Sequence, residues 1–556
     1  MYTLFFRSRF LLLYACCLLL GLFTPLPALA EPAGTLYVIN GLTSGEDTRQ
    51  PGDDVKKIEP FSDSLYQYTD FANGFSLRYP SGMIADASLS AVRTLFTDGQ
   101  TDILVFYDSL ADKQSSAAEL IEYGNRFRYN TADHRIETDK TLYINGRQVH
   151  LLKWTRRQLS RVAGDKNHYV SAEIVKNPYE VYTLLIKSAK PIENELELIQ
   201  SVSLFPPQGH PGIYKRQSAS TTPLNEETRA FLHTYFGPDS SFHWGVFEPS
   251  APYNMTNLLR LEDSFGYRFP FVIRYQSLDE NMPLQGLQNA YQHQTYVELT
   301  LQTLLQEAGV NALKLGASGQ VNAGIVYDML DGQYDDYLAE YARRLKEFNH
   351  PVLFRLNNEM NGDWCWYSAY YTGKDADLYI ALWRYIQTVF ANHGVDNVIW
   401  VWNPHDLSRP DFKWNHYLMY YPGDEYVDLI GLTGYNTGTY FPGERWREFK
   451  DIYTPLYSEY ASLFNKPFLI TEFGSNSVGG DKAAWIRGMF DHMADFPRIK
   501  AAIWWSGIDY DQLGQPGRIY LINETEEIIQ VFRERLKEYE PKRQPPDQNP
   551  DHKESG

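Results

Sequence analysis

A chain of 556 residues is too long for one ordinary domain and accommodates two if one of them is a barrel. Its formal charge of −18, from 51 Lys and Arg against 69 Asp and Glu, excludes nucleic acid as the partner, because phosphate binding needs clustered cations. Aromatic residues form 15% of the chain, mostly core filler but numerous enough to supply stacking faces for sugar rings.

Arg7 and Arg9 precede an apolar run at 11–23, and Ala28-Leu-Ala30 before Glu31 has the small-x-small pattern of a signal peptidase site. Residues 1–30 are therefore predicted to be a secretory signal peptide cleaved after Ala30. The apolar run is short for a membrane span, so no stable transmembrane segment is expected after cleavage. The expected location is secreted or at the cell envelope, with envelope attachment left open. A lipoprotein reading at Cys16 is weaker, since bulky Tyr14 stands where a small residue is preferred. Cys16 and Cys17 leave with the signal, so Cys365 remains alone and no intramolecular disulfide is expected.

Residues 31–65 are polar and rich in Gly, Asp and Pro, and read as a leader. Strand-like runs at 75–80, 103–107, 148–154, 169–174 and 180–186, with helical segments at 117–127 and 192–202, predict a small α+β domain over 66–205. Residues 206–223, with Pro206-Pro207 and a Ser/Thr cluster, read as an interdomain linker open to proteases. Over 224–540, apolar runs near 243–247, 270–275, 311–315, 351–356, 398–402, 427–431, 467–470 and 501–505 alternate with helical patterns. The fold class expected is α/β, a (β/α)8 TIM barrel preceded by the smaller α+β domain. The tail, 541–556, is Pro-rich and charged and reads as disordered.

Two glutamates stand directly after apolar runs: Glu359 in RLNNEMNGDW (355–364) and Glu472 in KPFLITEFG (466–474). A lone Glu at a strand end is more often a solvated loop residue. A charge placed after a hydrophobic strand in a Trp- and Asn-rich segment is costly to desolvate unless it has a task or a partner. On a barrel both carboxyl groups would reach one mouth, and hydrolysis of a glycosidic bond requires such a pair. Residues 355, 357 and 359 alternate along the predicted strand, which would set Arg355 below Glu359. Trp364, Trp366, Trp402, Trp504 and Trp505 fall at or after strand ends, where two or three of them would line a cleft and the others pack in the shell. His243, His405 and Asp406 could sit at the rim. Metal-binding His spacings, Gly-x-Ser-x-Gly and a phosphate loop are all missing from the sequence, so neither metal nor cofactor is expected.

The strings at 73–80 and 197–205 resemble the PsbP-like fold of small secreted modules, a resemblance over 66–205 that implies a fold and no chemistry. The second half resembles glycoside hydrolase family 26, mainly endo-β-mannanases with some β-glucan and β-xylan enzymes. The matching strings are HWGVF (243–247), LDGQYDDY (330–337), the Glu359 segment, VWNP (401–404), YPGDEYVD (421–428) leading to GYN (434–436), and the Glu472 segment. The resemblance implies Glu359 as acid/base, Glu472 as nucleophile, retention of anomeric configuration, and Tyr435 as the tyrosine bonded to the nucleophile. Substrate contacts are then expected from Arg355, Asn358, Trp364, Trp402, Tyr435, Trp504 and Trp505. One departure stands out: Asn358 replaces the histidine that the family usually places before the acid/base, which leaves the sugar open. The expectation is a secreted retaining hydrolase of a β-linked polysaccharide or oligosaccharide, the alternative a transglycosylating or non-catalytic envelope or exopolysaccharide-binding protein on the same barrel.

Overall fold

Apolar runs bounded by Gly and Pro, separated by amphipathic stretches, fold into a closed barrel of eight parallel strands in chain order. The computed structural model describes residues 34–113, 115–306, 324–511 and 513–539. The predicted signal peptide, the tail and the strand expected at 311–315 lie outside the described residues.

The barrel strands are β1 (His243–Phe247), β2 (Phe271–Gln276), β3 (Tyr296–Leu301), β4 (Val352–Leu356), β5 (Val398–Trp402), β6 (Leu429–Asn436), β7 (Phe468–Ser475) and β8 (Ile499–Trp505). The third strand is a segment that the sequence pattern did not single out. Its central Glu298 breaks the apolar run, and the fold tolerates it because Arg355 on β4 lies beside it inside the barrel. Ile273, Leu353, Ile399, Leu469 and Ile503 fill the interior, and the helix Glu226–Phe236 closes the lower end with Phe231 and Phe236. Helices separate the other strands, but between β5 and β6 the described chain makes only 3-10 turns. No described helix is long and apolar enough to cross a membrane.

Two antiparallel sheets, of six and seven strands, form the N-terminal domain. Tyr68, Leu77, Phe96, Val105, Leu151 and Leu184 pack between them. The stretch read as a polar leader supplies three of these strands, Leu36–Ile39, Leu42–Ser44 and Val55–Ser62. Its charge is accommodated inside: Lys56, buried, pairs with Asp54 and, at 2.8 Å, with Asp70. The linker has neither helix nor strand, yet its backbone is tied down at both ends. Tyr214 N–H donates to Ser88 O at 2.7 Å, Ser218 N–H to Asp424 at 2.7 Å and Thr221 N–H to Glu425 O at 3.1 Å. A segment so bonded is not the exposed flexible loop that proteases prefer.

The domain packs where a β5–β6 helix would otherwise lie. Lys413 N–H donates to Asp108 at 3.0 Å, its ammonium to Ala91 O at 2.8 Å, and Trp414 lies against Gly124. The loop between β4 and the helix Asp377–Asn392 is held from the same side. Buried Lys374 pairs with Glu173, Lys187 with Asp375 at 2.8 Å, and Tyr169 donates to Asp375 at 2.7 Å.

Candidate active site

Residues along a barrel strand alternate between interior and helical shell, and that alternation decides which side chains meet at the mouth. On β5, Ile399 and Val401 face inward while Trp400 and Trp402 pack outward, so Asn403 is the next inward residue. On β7 the register shifts after Ile470, and both Thr471 and Glu472 turn inward. This bulge re-aims a carboxylate that strict alternation would send into the shell.

Arg355, fully buried, is the hub. Its Nη1 donates to Glu472 Oε1 at 3.0 Å and to Asn403 Oδ1 at 2.9 Å, and its Nε donates to Thr300 Oγ1 at 2.8 Å. Glu472 receives two further donors, the Tyr275 hydroxyl and, at 3.2 Å, Asn358 Nδ2. Asn358 is held in turn by Gln302 Nε2, 3.0 Å from its Oδ1, and by the Tyr367 hydroxyl, 2.7 Å from its carbonyl.

β4 ends at Leu356, so residues 355, 357 and 359 do not share a strand face as the alternation predicted. Asn357 and Glu359 instead adopt left-handed backbone, φ 52° and 53°, a conformation costing about 1–3 kcal/mol at each residue. The turn is held by Asn357 Oδ1 accepting from Thr303 N–H at 2.8 Å and by Glu359 N–H donating to Asn403 O at 2.8 Å. The Glu359 carboxyl accepts the Trp364 indole N–H at 2.8 Å, with His405 Nε2 3.9 Å away. Burial raises its pKa to about 7, the charge of Glu472 adding to the rise while His405, the indole and Arg355 oppose it.

A third carboxyl lies below. Glu298 is in register with Ile273 and Leu353, in an apolar layer, 2.8 Å from Arg355 Nε. Burial pushes its pKa up to about 8; Arg355 counters this and Glu472 adds to it. One buried guanidinium thus faces two carboxyls. The hydrogen bonds converge on Glu472, whereas neither oxygen of Glu298 has a hydrogen-bond partner. Negative charge is stabilised at Glu472, and Glu298 keeps a proton at neutral pH.

Among the other sequence candidates, Trp364 stands 40% exposed at the mouth. Trp505 turns inward, its ring 5.7 Å from Phe247 in a stacked arrangement. Trp402 and Trp504, expected in the cleft, are buried in the shell, the first against Tyr421 and Phe464, the second against Phe473 and Phe532. Each stands one residue out of phase with the inward face. Trp366 is buried as well. Tyr435 was expected to bond Glu472, a bond made here by Tyr275 from β2; the Tyr435 ring packs on Tyr520 at 5.0 Å. His243 opens β1 at the opposite end of the barrel, 5.0 Å from the Tyr235 ring. Asp406 pairs with Arg447 at 2.8 Å and with His405, which faces Glu359. Buried Cys365 lies 3.5 Å from Asn358 O, and burial pushes its thiol pKa up, away from nucleophilic character.

Sequence reasoning missed Tyr275, Glu298, Thr300 and Asn403. The available signal was phase: each is polar and inward-facing, Tyr275, Thr300 and Asn403 at or just past a strand end and Glu298 within β3, but phase is meaningful only once the strand boundaries are known. Among the described residues no group of three or more His, Cys, Asp or Glu side chains could hold a metal ion.

Residues 319–504 match the family model "Glycosyl hydrolase family 26". Endoglucanase H of Acetivibrio thermocellus is 34% identical over 181 residues, 32% of this chain and 20% of that protein. A mannan endo-1,4-beta-mannosidase of Bacillus subtilis is 34% identical over 148 residues, 26% of this chain and 36% of that protein. The chain thus spans well under half the length of these curated relatives. A solved Bacillus subtilis mannanase structure, 19% identical, covers 55% of this chain and 94% of its own with a TM-score of 0.39.

Proposed function

We propose that this chain is a retaining glycoside hydrolase acting on a β-linked polysaccharide, with Glu472 as nucleophile and Glu359 as acid/base. The observation that carries this reading is the unequal bonding of two carboxyl groups at one barrel mouth. Glu472 accepts hydrogen bonds from three donors, while Glu359, with a single indole donor and a raised pKa, holds a proton.

Glu472 attacks the anomeric carbon and Glu359 gives its proton to the departing oxygen, leaving a glycosyl ester on Glu472. Glu359, now a carboxylate, takes a proton from water as that water attacks the anomeric carbon and displaces the Glu472 carboxylate, which returns both groups to their starting states. Arg355 and Tyr275 keep the Glu472 oxygens aligned through both steps. Asn358 presents a neutral donor where the family resemblance expects histidine, and its amide lies within reach of a sugar hydroxyl beside Glu472. Trp364 and Trp505, on opposite sides of the mouth, are the stacking faces. A mannan-type backbone is the first candidate and a β-glucan the second, following the names of the relatives. Export is part of the proposal and rests on the sequence of residues 1–30; the PsbP-like assignment of the N-terminal domain likewise rests on sequence.

Incubation of the mature protein with mannan, mixed-linkage glucan and xylan, with products resolved by size and anomeric form, identifies the substrate. Glu472→Ala is expected to abolish turnover on every substrate. Glu359→Ala is expected to spare dinitrophenyl glycosides, whose departure needs no proton, and to respond to azide in the second step. Equal loss in both variants on such substrates overturns the assignment.

A further inference from the structure

The N-terminal domain does more than sit beside the barrel. Three consecutive residues at the end of its helix Ala117–Gly124 and just beyond touch the loops of the mouth. The Tyr123 hydroxyl donates to Asp363 Oδ2. Gly124 faces Trp414, where an added Cβ would stand 3.5 Å from the indole, in ordinary van der Waals contact. Asn125 Oδ1 accepts from Lys374 Nζ at 2.8 Å. Tyr123 is itself fixed, its ring 5.1 Å from that of Tyr370 and under the Arg126 guanidinium at 4.6 Å.

Asp363 immediately precedes Trp364, whose indole N–H is the hydrogen-bond donor on Glu359. Its carboxylate is taken by Tyr123 and its carbonyl by the Tyr371 hydroxyl. The indole lies over Gly362, where a Cβ would stand 2.4 Å from the ring. Gly362 and the edge-on His405 ring, 5.0 Å away, cover part of the indole, which is still 40% exposed; the anchoring of Asp363 adds to this packing in holding its N–H on the carboxyl.

We propose that Tyr123 is a positioning residue for the acid/base: by holding Asp363 it keeps the Trp364 indole N–H on Glu359, so that the N-terminal domain completes the catalytic mouth. This rests on the reading of Glu359 as acid/base. Burial and the Asp363 charge keep the Tyr123 hydroxyl protonated, hence a donor throughout the working pH range.

The test uses the full-length mature protein, the glycan turned over best in the screen above, and the dinitrophenyl glycoside of its disaccharide. Tyr123→Phe keeps the ring and removes the donor. It is expected to lower kcat on the glycan about threefold to tenfold, the scale of one lost hydrogen bond, with KM and dinitrophenyl turnover within about twofold, and to move the alkaline limb of kcat/KM upward. Asp363→Asn, which keeps an acceptor oxygen, is expected to behave like the parent, and Asp363→Ala like Tyr123→Phe. An unmoved limb with equal losses on both substrates, or no loss on either, overturns the proposal. Glu359→Ala separates the two failures: without azide rescue on the dinitrophenyl substrate the acid/base reading itself falls, whereas with rescue but an unchanged Tyr123→Phe only the role of Tyr123 falls.

Discussion

Trp364→Phe removes the hydrogen bond on Glu359 while keeping an aromatic ring at the mouth. On the proposed assignment Glu359 acts as the acid and must be protonated, so kcat/KM is expected to fall as pH rises through its pKa, placing the alkaline limb at about 7. The indole N–H, 2.8 Å away, favours the ionised form and lowers that value. A hydrogen bond to a charged acceptor contributes about 1.5–3 kcal/mol when dry. Trp364 is 40% exposed, so water replaces much of this and roughly 1 kcal/mol remains. At about 1.36 kcal/mol per unit, the limb moves up by roughly 0.7 unit. The assay is kcat/KM over roughly pH 4 to 10, a range that brackets the limb by about three units on either side, on the glycan identified by the screen. Lost stacking appears in the height of the profile and the lost hydrogen bond in its position, so the two are read separately. A limb that stays in place, or moves to lower pH, refutes the reasoning.

In a crystal structure, the Glu359 and Glu472 carboxyl groups are expected about 5–5.5 Å apart, against about 9 Å for an inverting pair; proton NMR of the first products checks the same point as retention. Trp505→Ala is expected to raise KM about threefold to tenfold through the lost stacking face, while Trp402→Phe and Trp504→Phe leave KM unchanged and lower the denaturation midpoint. Lys374→Met leaves Glu173 buried without its ammonium partner and is expected to cost about 3–5 kcal/mol in urea unfolding, partly recovered by adding Glu173→Gln. Burial pushes the Glu173 pKa up, but Lys374 and His150 hold it well below the usual range. The stability it contributes is therefore present above the usual carboxylate range and lost as pH falls through the depressed value, so the Lys374→Met penalty should shrink in acid. A penalty that grows in acid contradicts this.

Periodicity and punctuation made the barrel and its two strand-end glutamates legible from sequence, because a parallel strand buried on both faces must be apolar along its length and a charge at its end is conspicuous. Patterning of this kind is local, written in four to eight consecutive residues. What it could not supply is phase and partnership. Whether Trp504 or Trp505 faces the cleft depends on where β8 begins, and whether Glu472 faces inward depends on a bulge visible only against the neighbouring strands. Glu298 disguised the third strand because its polar neighbour in the barrel, Arg355, is 57 residues away, the difference of their positions in the chain. Tyr275 on Glu472 and Tyr123 on Asp363 lie 197 and 240 residues from their partners. Such contacts leave no local trace, since each tyrosine taken alone is one of 41. Only tertiary structure brings them within hydrogen-bonding distance, and there burial makes each donor count by excluding the water that would otherwise compete for the carboxyl.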